Sequence, residues 1–530
     1  MRHVHVCLLP TEILLGIFTI IREEPGTRDS LKRETIAALA RTCKTFKEPA
    51  LDVLWENISG IKPLISFLPE GVVSRTRNQK LKTSLRGEWK IFAQYARRIH
   101  SLAIDKCNLD EISEQVVEAL VSTPSLALLS NLRKLQWLDD RGCFFPLLRT
   151  LLVPTITSIK LGIDSSELWL SSFSKSALLT FLGARCPSIR ELDCVYDGHS
   201  DEFSDAISEA VCCCHELVHL KAGVLNAQAL VHLASLPLLK SLHLWLSFDV
   251  VDKPPTNSIP MFISKLDELS ITARSHTSLT QCFRNVRFLS CRSVVLSIDL
   301  DWMDPDEPYD PLDIPDLIVA FSECFSPVLE ELWVHSDFGH HNERILDHRF
   351  AFGFDVIAPF LQFSHLTMLD LDWLCTSDIG DEAFRNMVQS WPLLKDFRFE
   401  SGDRWVVPPS LTFTGLVHLI QHCRHLRRID IHFSACSIDA NSEPFSTTLP
   451  NEMITCLFVG FSPIVDPKAV ARQLHVLLPN LTHVVRYEWG GDDDREVPFV
   501  KGWNTVDEYL ELLTEGAVLR EKIGELWEES

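Results

Sequence analysis

Few stretches of the 530-residue chain place chemistry-bearing side chains together. His422-x-x-His425 encloses Cys423, and Cys212-Cys213-Cys214 runs into His215. Imidazole and thiolate at such spacing bind zinc when a second ligand pair lies at a useful distance, and neither run has one. Both fall on helical segments beside apolar phrases, which favours core cysteines with surface histidines. Asp301 to Asp316 carries Asp301, Asp304, Asp306, Glu307, Asp310, Asp313 and Asp316 with no basic residue. Carboxylates bind calcium, but EF-hand spacing and its turn glycine are missing, so a solvated loop is expected. Asp492-Asp493-Asp494 reads as an exposed turn. A basic tract from Arg75 to Lys90 suits either an acidic partner or a solvated connection. There is no G-x-S-x-G, G-x-G-x-x-G, P-loop or H-E-x-x-H, so no motif carries an enzyme reading, and no cofactor or metal is expected.

The elements that must hold these residues follow from composition and period. With 46% hydrophobic and 23% charged residues, the chain is too apolar to be disordered. Its length exceeds a single core, so it needs several domains or an array that keeps adding small ones. The net charge of −22 argues against general nucleic-acid binding, which needs a basic face. Ile13 to Ile21 is the longest apolar run, far short of the about 20 residues of a membrane span. Pro10 and Glu12 interrupt it, and no small-residue cleavage site follows, so a signal peptide is not expected either. The 16 cysteines lack framework spacing, which fits a reducing cytoplasmic or nuclear compartment.

Three short amphipathic helices are predicted first. Pro10 opens one in which Ile13, Leu14, Ile17, Phe18 and Ile21 form an apolar face. Ser30 can cap a second, carrying Ile36, Leu39, Ala40, Cys43 and Phe46 at helical period, until Pro49 stops it. Ala50 to Trp55 closes the unit. The run L-P-x-E-I-L-x-x-I-F at Leu9 to Phe18, then L-A-R-T-C-K-T-F at Leu39 to Phe46, then Leu54-Trp55, resembles an F-box over roughly residues 7–60. That is the motif by which substrate receptors dock onto the Skp adaptor of cullin–RING ubiquitin ligases. The resemblance implies adaptor contacts at Leu9, Pro10, Ile13, Leu14, Ile17, Phe18, Leu39, Cys43, Phe46, Leu54 and Trp55. Some of these could equally be intramolecular core, Leu39 and Phe46 above all.

From Ile99 a phrase recurs: apolar, two residues, apolar, one residue, apolar. It runs Ile99-x-x-Leu102-x-Ile104, Leu132-x-x-Leu135-x-Trp137, Ile156-x-x-Ile159-x-Leu161, Ile189-x-x-Leu192-x-Cys194 and Leu239-x-x-Leu242-x-Leu244. It continues at Leu266, Leu329, Leu366, Leu394 and Leu426. Helical-period segments such as Asp316 to Phe325, Ile379 to Trp391 and Asp466 to Leu478 lie between the phrases. Helix, loop and short strand in alternation cannot bury an apolar side alone; stacked, they give an α/β solenoid with a parallel sheet on one side and helices on the other. The pattern is similar to the irregular leucine-rich repeats of divergent, fungal-type F-box receptors. The expected domains are a helical one over 1–60, a transition over 61–95, a solenoid over 96–500 and a C-terminal helical cap over 501–530.

Alternation across each strand turns the leucines inward and sets the intervening residues on an open, concave sheet face. His243, Trp245, Trp333, His335, Asp370, Asp372, Arg398, Arg428, Asp430 and His432 are the candidate target contacts there. Trp245 and Trp333 are the candidate anchors, unless they pack under a loop or the C-terminal tail. The resemblance implies a non-catalytic receptor that binds a Skp-type adaptor, and through it a cullin–RING ligase, and holds a protein target. A scaffold using the same modules without ligase function is the alternative. Residues 1–100 hold 17 Lys plus Arg against 10 Asp plus Glu, and the remainder 33 against 62, so a basic target segment is expected.

Overall fold

The structure, a computed structural model, describes residues 9–26, 28–68, 89–110, 112–122, 128–162, 173–194, 201–246, 259–273, 275–298, 313–336, 351–371, 376–399, 409–438, 445, 447–460, 462–486 and 499–528. The acidic residues 301–312, the basic tract to residue 88 and Asp492-Asp493-Asp494 lie outside these. Contacts divide the chain into two compact units, Met1–His232 and Leu233–Ser530.

The first unit opens with α1 (Thr11–Glu23), α2 (Asp29–Thr42) and α3 (Lys44–Glu56). Pro10 stands just before α1, and its carbonyl accepts from Ile13 and Leu14 N–H at 3.1 and 3.2 Å. No side-chain cap forms at Ser30, because α2 begins one residue earlier. The break expected at Pro49 falls instead at Cys43, whose extended backbone (φ −152°, ψ 164°) separates α2 from α3. Pro49 sits inside α3, where its ring joins Ala50 and Val53 in the buried face; that packing holds a helix which proline by itself would break. Leu14, Phe18, Ile36, Ala50 and Val53 form the helical core, and Phe18 meets Phe46 edge to face at 5.7 Å.

α3 runs directly into β1 (Asn57–Ser59), followed by β2 (Ser101–Asp105), β3 (Lys134–Leu138), β4 (Ser158–Leu161), β5 (Glu191–Cys194) and β6 (His219–Ala222). Each pairs in parallel with the next. Gly60 ends β1 at φ +73°, a conformation that favours glycine, and donates its N–H to Ala103 at 2.7 Å. The helices and the sheet are tied together. Trp55 meets Tyr95 at 4.9 Å and Phe67 at 5.7 Å, and Arg98 pairs with both Glu48 and Asp52 of α3.

The second unit repeats the pattern in β7 (Ser241–Leu246), β8 (Met261–Ala273), β9 (Arg287–Ile298), β10 (Glu331–Ser336), β11 (Met368–Leu371), β12 (Asp396–Phe399), β13 (Arg428–Ile431), β14 (Cys456–Gly460) and β15 (His483–Arg486). These too pair in parallel in chain order. The inward row Leu242, Leu269, Val294, Leu332, Leu369, Phe397, Ile429, Leu457 and Val484 is buried throughout. Successive strands are staggered by one recurring device, a carbonyl at the strand entry that accepts two N–H groups of the next repeat. Lys395 O takes Arg427 and Arg428 N–H at 2.7 and 3.2 Å, and Glu330 O takes Thr367 and Met368 N–H at 2.7 and 3.2 Å. Helices Asp313–Cys324, Asp381–Ser390, Phe413–His422 and Pro467–Leu477 stand between strands. The Asp381 carboxylate reaches into the next repeat, accepting from Thr412 and Gly415 N–H at 2.8 and 3.0 Å.

The C-terminal helix Val500–Glu528 packs against Pro467–Leu477 and β15. It buries Trp503, Val506 and Leu510. Asp507 accepts the Val484 N–H of β15 at 2.6 Å, and Trp503 Nε1 donates to Ser462 O at 2.7 Å. Among the described residues, no helix is long and apolar enough to cross a membrane.

Candidate functional site

The helical unit divides the residues expected to face an adaptor. Leu14 and Phe18 are in the core, so they shape the surface and do not form it; on α1 they point inward because Ile36, Ala50 and Val53 close over them. Leu9, Leu39, Phe46 and Leu54 are half-buried against that core, and Cys43 is half-buried between α2 and α3. Trp55 is half-buried in the aromatic cluster with Tyr95 and Phe67, a role within the chain. Pro10, Ile13 and Ile17 remain at the surface, and Ile20, outside the expected contacts, is the most open of the row at 70%. Ile13, Ile17 and Ile20 are spaced i, i+4, i+7, so they share one stripe of α1, and Leu31 on α2 is a further exposed apolar residue. The same helical spacing could have found Ile20.

In the second unit, strand register brings five of the ten proposed target contacts, His243, Trp333, Asp370, Arg398 and Asp430, into one row. His243 aligns with Ser270, Ser270 with Val295, Val295 with Trp333, Trp333 with Asp370, Asp370 with Arg398, Arg398 with Asp430 and Asp430 with Phe458. Trp245 belongs to the neighbouring row, aligned with Thr272. Asp372 and the His335 side chain lie outside the described residues. Trp333 and Trp245 are half-buried.

Asp370, Asp430 and His432 do not line an open face, being 0%, 7% and 3% exposed. Alternation places them on the outward side, but the side chains around them close it. The Asp370 carboxylate is held by Arg398 at 3.0 Å, and the Arg398 guanidinium lies over the Trp333 ring at 5.4 Å from its centroid. Arg428 covers Phe458 in the same manner at 4.7 Å. His243 lies 3.7 Å from Glu268. A buried carboxylate needs such a partner, because an ion left unpaired in a low-dielectric site is strongly destabilising. Two half-buried arginines, each fixed on an aromatic ring, are preorganised donors for carboxylate or carbonyl groups.

The cysteine–histidine runs are structural. The Cys423 thiol donates to Trp391 O at 3.3 Å, and burial pushes it up to about 12. The Cys214 thiol donates to Ala210 O at 3.3 Å and is likewise pushed up to about 12 by burial. Thiols so held do not become the thiolates a metal requires. Among the described residues, no group of three His, Cys, Asp or Glu could hold a metal ion.

Residues 6–60 match the F-box-like family model, and an F-box-like domain therefore stands at the N-terminus. The chain is also similar to a structure described as the Rad7 and Elc1 complex in yeast. The identity is 12% and the TM-score 0.34, over 88% of this chain and 96% of that one. No curated protein matches.

Proposed function

We propose that this protein is the substrate receptor of a Skp–cullin–F-box type ubiquitin ligase. The F-box-like domain docks a Skp-type adaptor, the repeat sheet holds a protein target, and other subunits perform the ubiquitin chemistry. The observation that carries this reading is the match over residues 6–60, together with the exposed stripe Ile13, Ile17, Ile20 that those residues present. A stripe of exposed apolar side chains binds by burial against a partner of matching shape. The pairing of β1, which continues α3, with β2 joins the F-box-like domain directly to the first strands of the repeat sheet, as suits a receptor that carries both docking and repeat modules. The buried leucine rows support irregular leucine-rich repeats of the kind found in divergent, fungal-type receptors. Thiols packed as small hydrophobes support a reducing, cytoplasmic or nuclear setting.

Co-expression with a Skp-type adaptor tests the docking. The wild type is expected to co-purify with it, and Ile13→Asp with Ile17→Asp to lose it while circular dichroism stays unchanged; full retention by the double variant overturns the reading. A bound target that is ubiquitinated in the reconstituted complex separates a receptor from a scaffold, which binds a partner without its modification.

A further inference from the structure

The acidic balance of residues 101–530 predicts a basic target, but the charge around β12 and β13 runs the other way. At one pair of neighbouring strand entries of the second unit, opposite charges meet: Arg292 and Glu330 sit at 2.8 Å. Two repeats later the same position holds Lys395 and then Arg427, joined by the Arg427 N–H to Lys395 carbonyl bond of 2.7 Å. Both side chains are exposed, and among the described residues neither has a carboxylate within ion-pair distance. Arg428 follows, half-buried, with its guanidinium spread on Phe458 and its Nε buried without a hydrogen-bond partner. His425 is exposed beside them, and Arg424 donates to Leu449 O at 2.7 Å. The nearest carboxylate by register, Asp396, aligns with Arg428 yet forms no ion pair with it.

Like charges on adjacent strands repel, and folding has no use for holding them together. A guanidinium stacked on a ring has lost much of its freedom before any ligand arrives, so less is lost when an anion binds. The anion that answers three cations across two adjacent strands is an extended run of carboxylates. We propose that Lys395, Arg427 and Arg428 form a docking site for an acidic segment of a protein partner. This rests on the target-binding reading for its occupant, whereas its test needs no adaptor.

Fluorescein-labelled decaglutamate is titrated with the full chain by anisotropy, with decalysine as the opposite probe. Decaglutamate is expected to bind, to weaken as ionic strength rises, and to weaken about tenfold or more with Lys395→Glu and Arg427→Glu. Lys240→Glu with Arg472→Glu, the same change of charge at exposed positions elsewhere in the unit, is expected to leave binding unchanged. Arg427→Gln, a milder change with an unaltered melting temperature, should weaken binding in the same direction. Equal loss in the control pair, absence of binding by the wild type, or preference for decalysine overturns the proposal. Adaptor capture by the wild type and the same variants is measured in parallel: absence of capture by the wild type counts against the ligase reading alone, and undiminished decaglutamate binding in variants that still capture the adaptor counts against this site alone.

Discussion

Neighbouring residues on α1 serve opposite purposes. Ile13 is half open and Leu14 is closed, although one peptide bond separates them, because 100° of helical rotation carries the side chain from solvent to core. Leu14→Ala should therefore cost about 2–5 kcal/mol of stability through a cavity. Ile17→Asp should cost little stability and remove adaptor binding; a thermal melt beside a pull-down distinguishes the two. His276 gives a pH test. Burial lowers its imidazole from 6.5 to about 3, so the folded state excludes a proton that the unfolded chain binds. Stability from this exclusion is complete above 6.5 and is lost as pH falls from 6.5 towards 3, by about 1.4 kcal/mol per unit. His276→Asn should show a smaller drop in urea midpoint between pH 7 and pH 5 than the wild type; an equal drop would place the proton elsewhere.

At the scale of elements, the last helix decides whether the second unit has an open edge. Asp507 takes a β15 N–H that would otherwise face outward, and Trp503, Val506 and Leu510 cover the apolar end of the stack. A solenoid closed this way resists strand addition by another chain. Removing residues 500–530 should produce concentration-dependent aggregation, visible by light scattering, and Trp503→Ala should cost about 3–5 kcal/mol. Burial also raises the Asp507 carboxyl above its usual 3.8. A raised folded value means that its contribution is greatest in acid and falls as pH rises through it, so Asp507→Asn should tighten or preserve helix docking at neutral pH. Hydrogen exchange at the Val484 amide reads this directly.

For the molecule as a whole, thiol reactivity reports whether the repeats are closed. Burial pushes Cys186, Cys214 and Cys423 up to about 12, whereas Cys107, Cys143, Cys213 and Cys436 are exposed. Native alkylation followed by mass spectrometry should label the exposed set and spare the buried set until denaturant is added. Labelling of Cys214 and Cys423 in the native state would mean that the stack opens.

Most strands are legible in the repeating phrase, because a buried row must be apolar and alternation is a property of the strand itself. Leu217-x-x-Leu220-x-Ala222, Cys291-x-x-Val294-x-Leu296 and Ile454-x-x-Leu457-x-Val459 obey it too, in β6, β9 and β14, with alanine weakening the signal in the first and cysteine in the second. The F-box-like unit is legible for the same reason, since Leu9 to Phe18 and Leu39 to Phe46 keep helical spacing and order. Pairing between distant positions leaves no such mark. Net charge points to a basic partner, yet Lys395 and Arg427 become neighbours only when two strands align. Alternation makes Asp370 an open position, but Arg398 and Trp333 close over it from adjacent strands. Periodicity is written within a segment, and so the sequence by itself determined helices, strands and their inward faces. Which outward side chains meet, and which are left to meet a partner, is set by register between segments, and only the tertiary structure decides that.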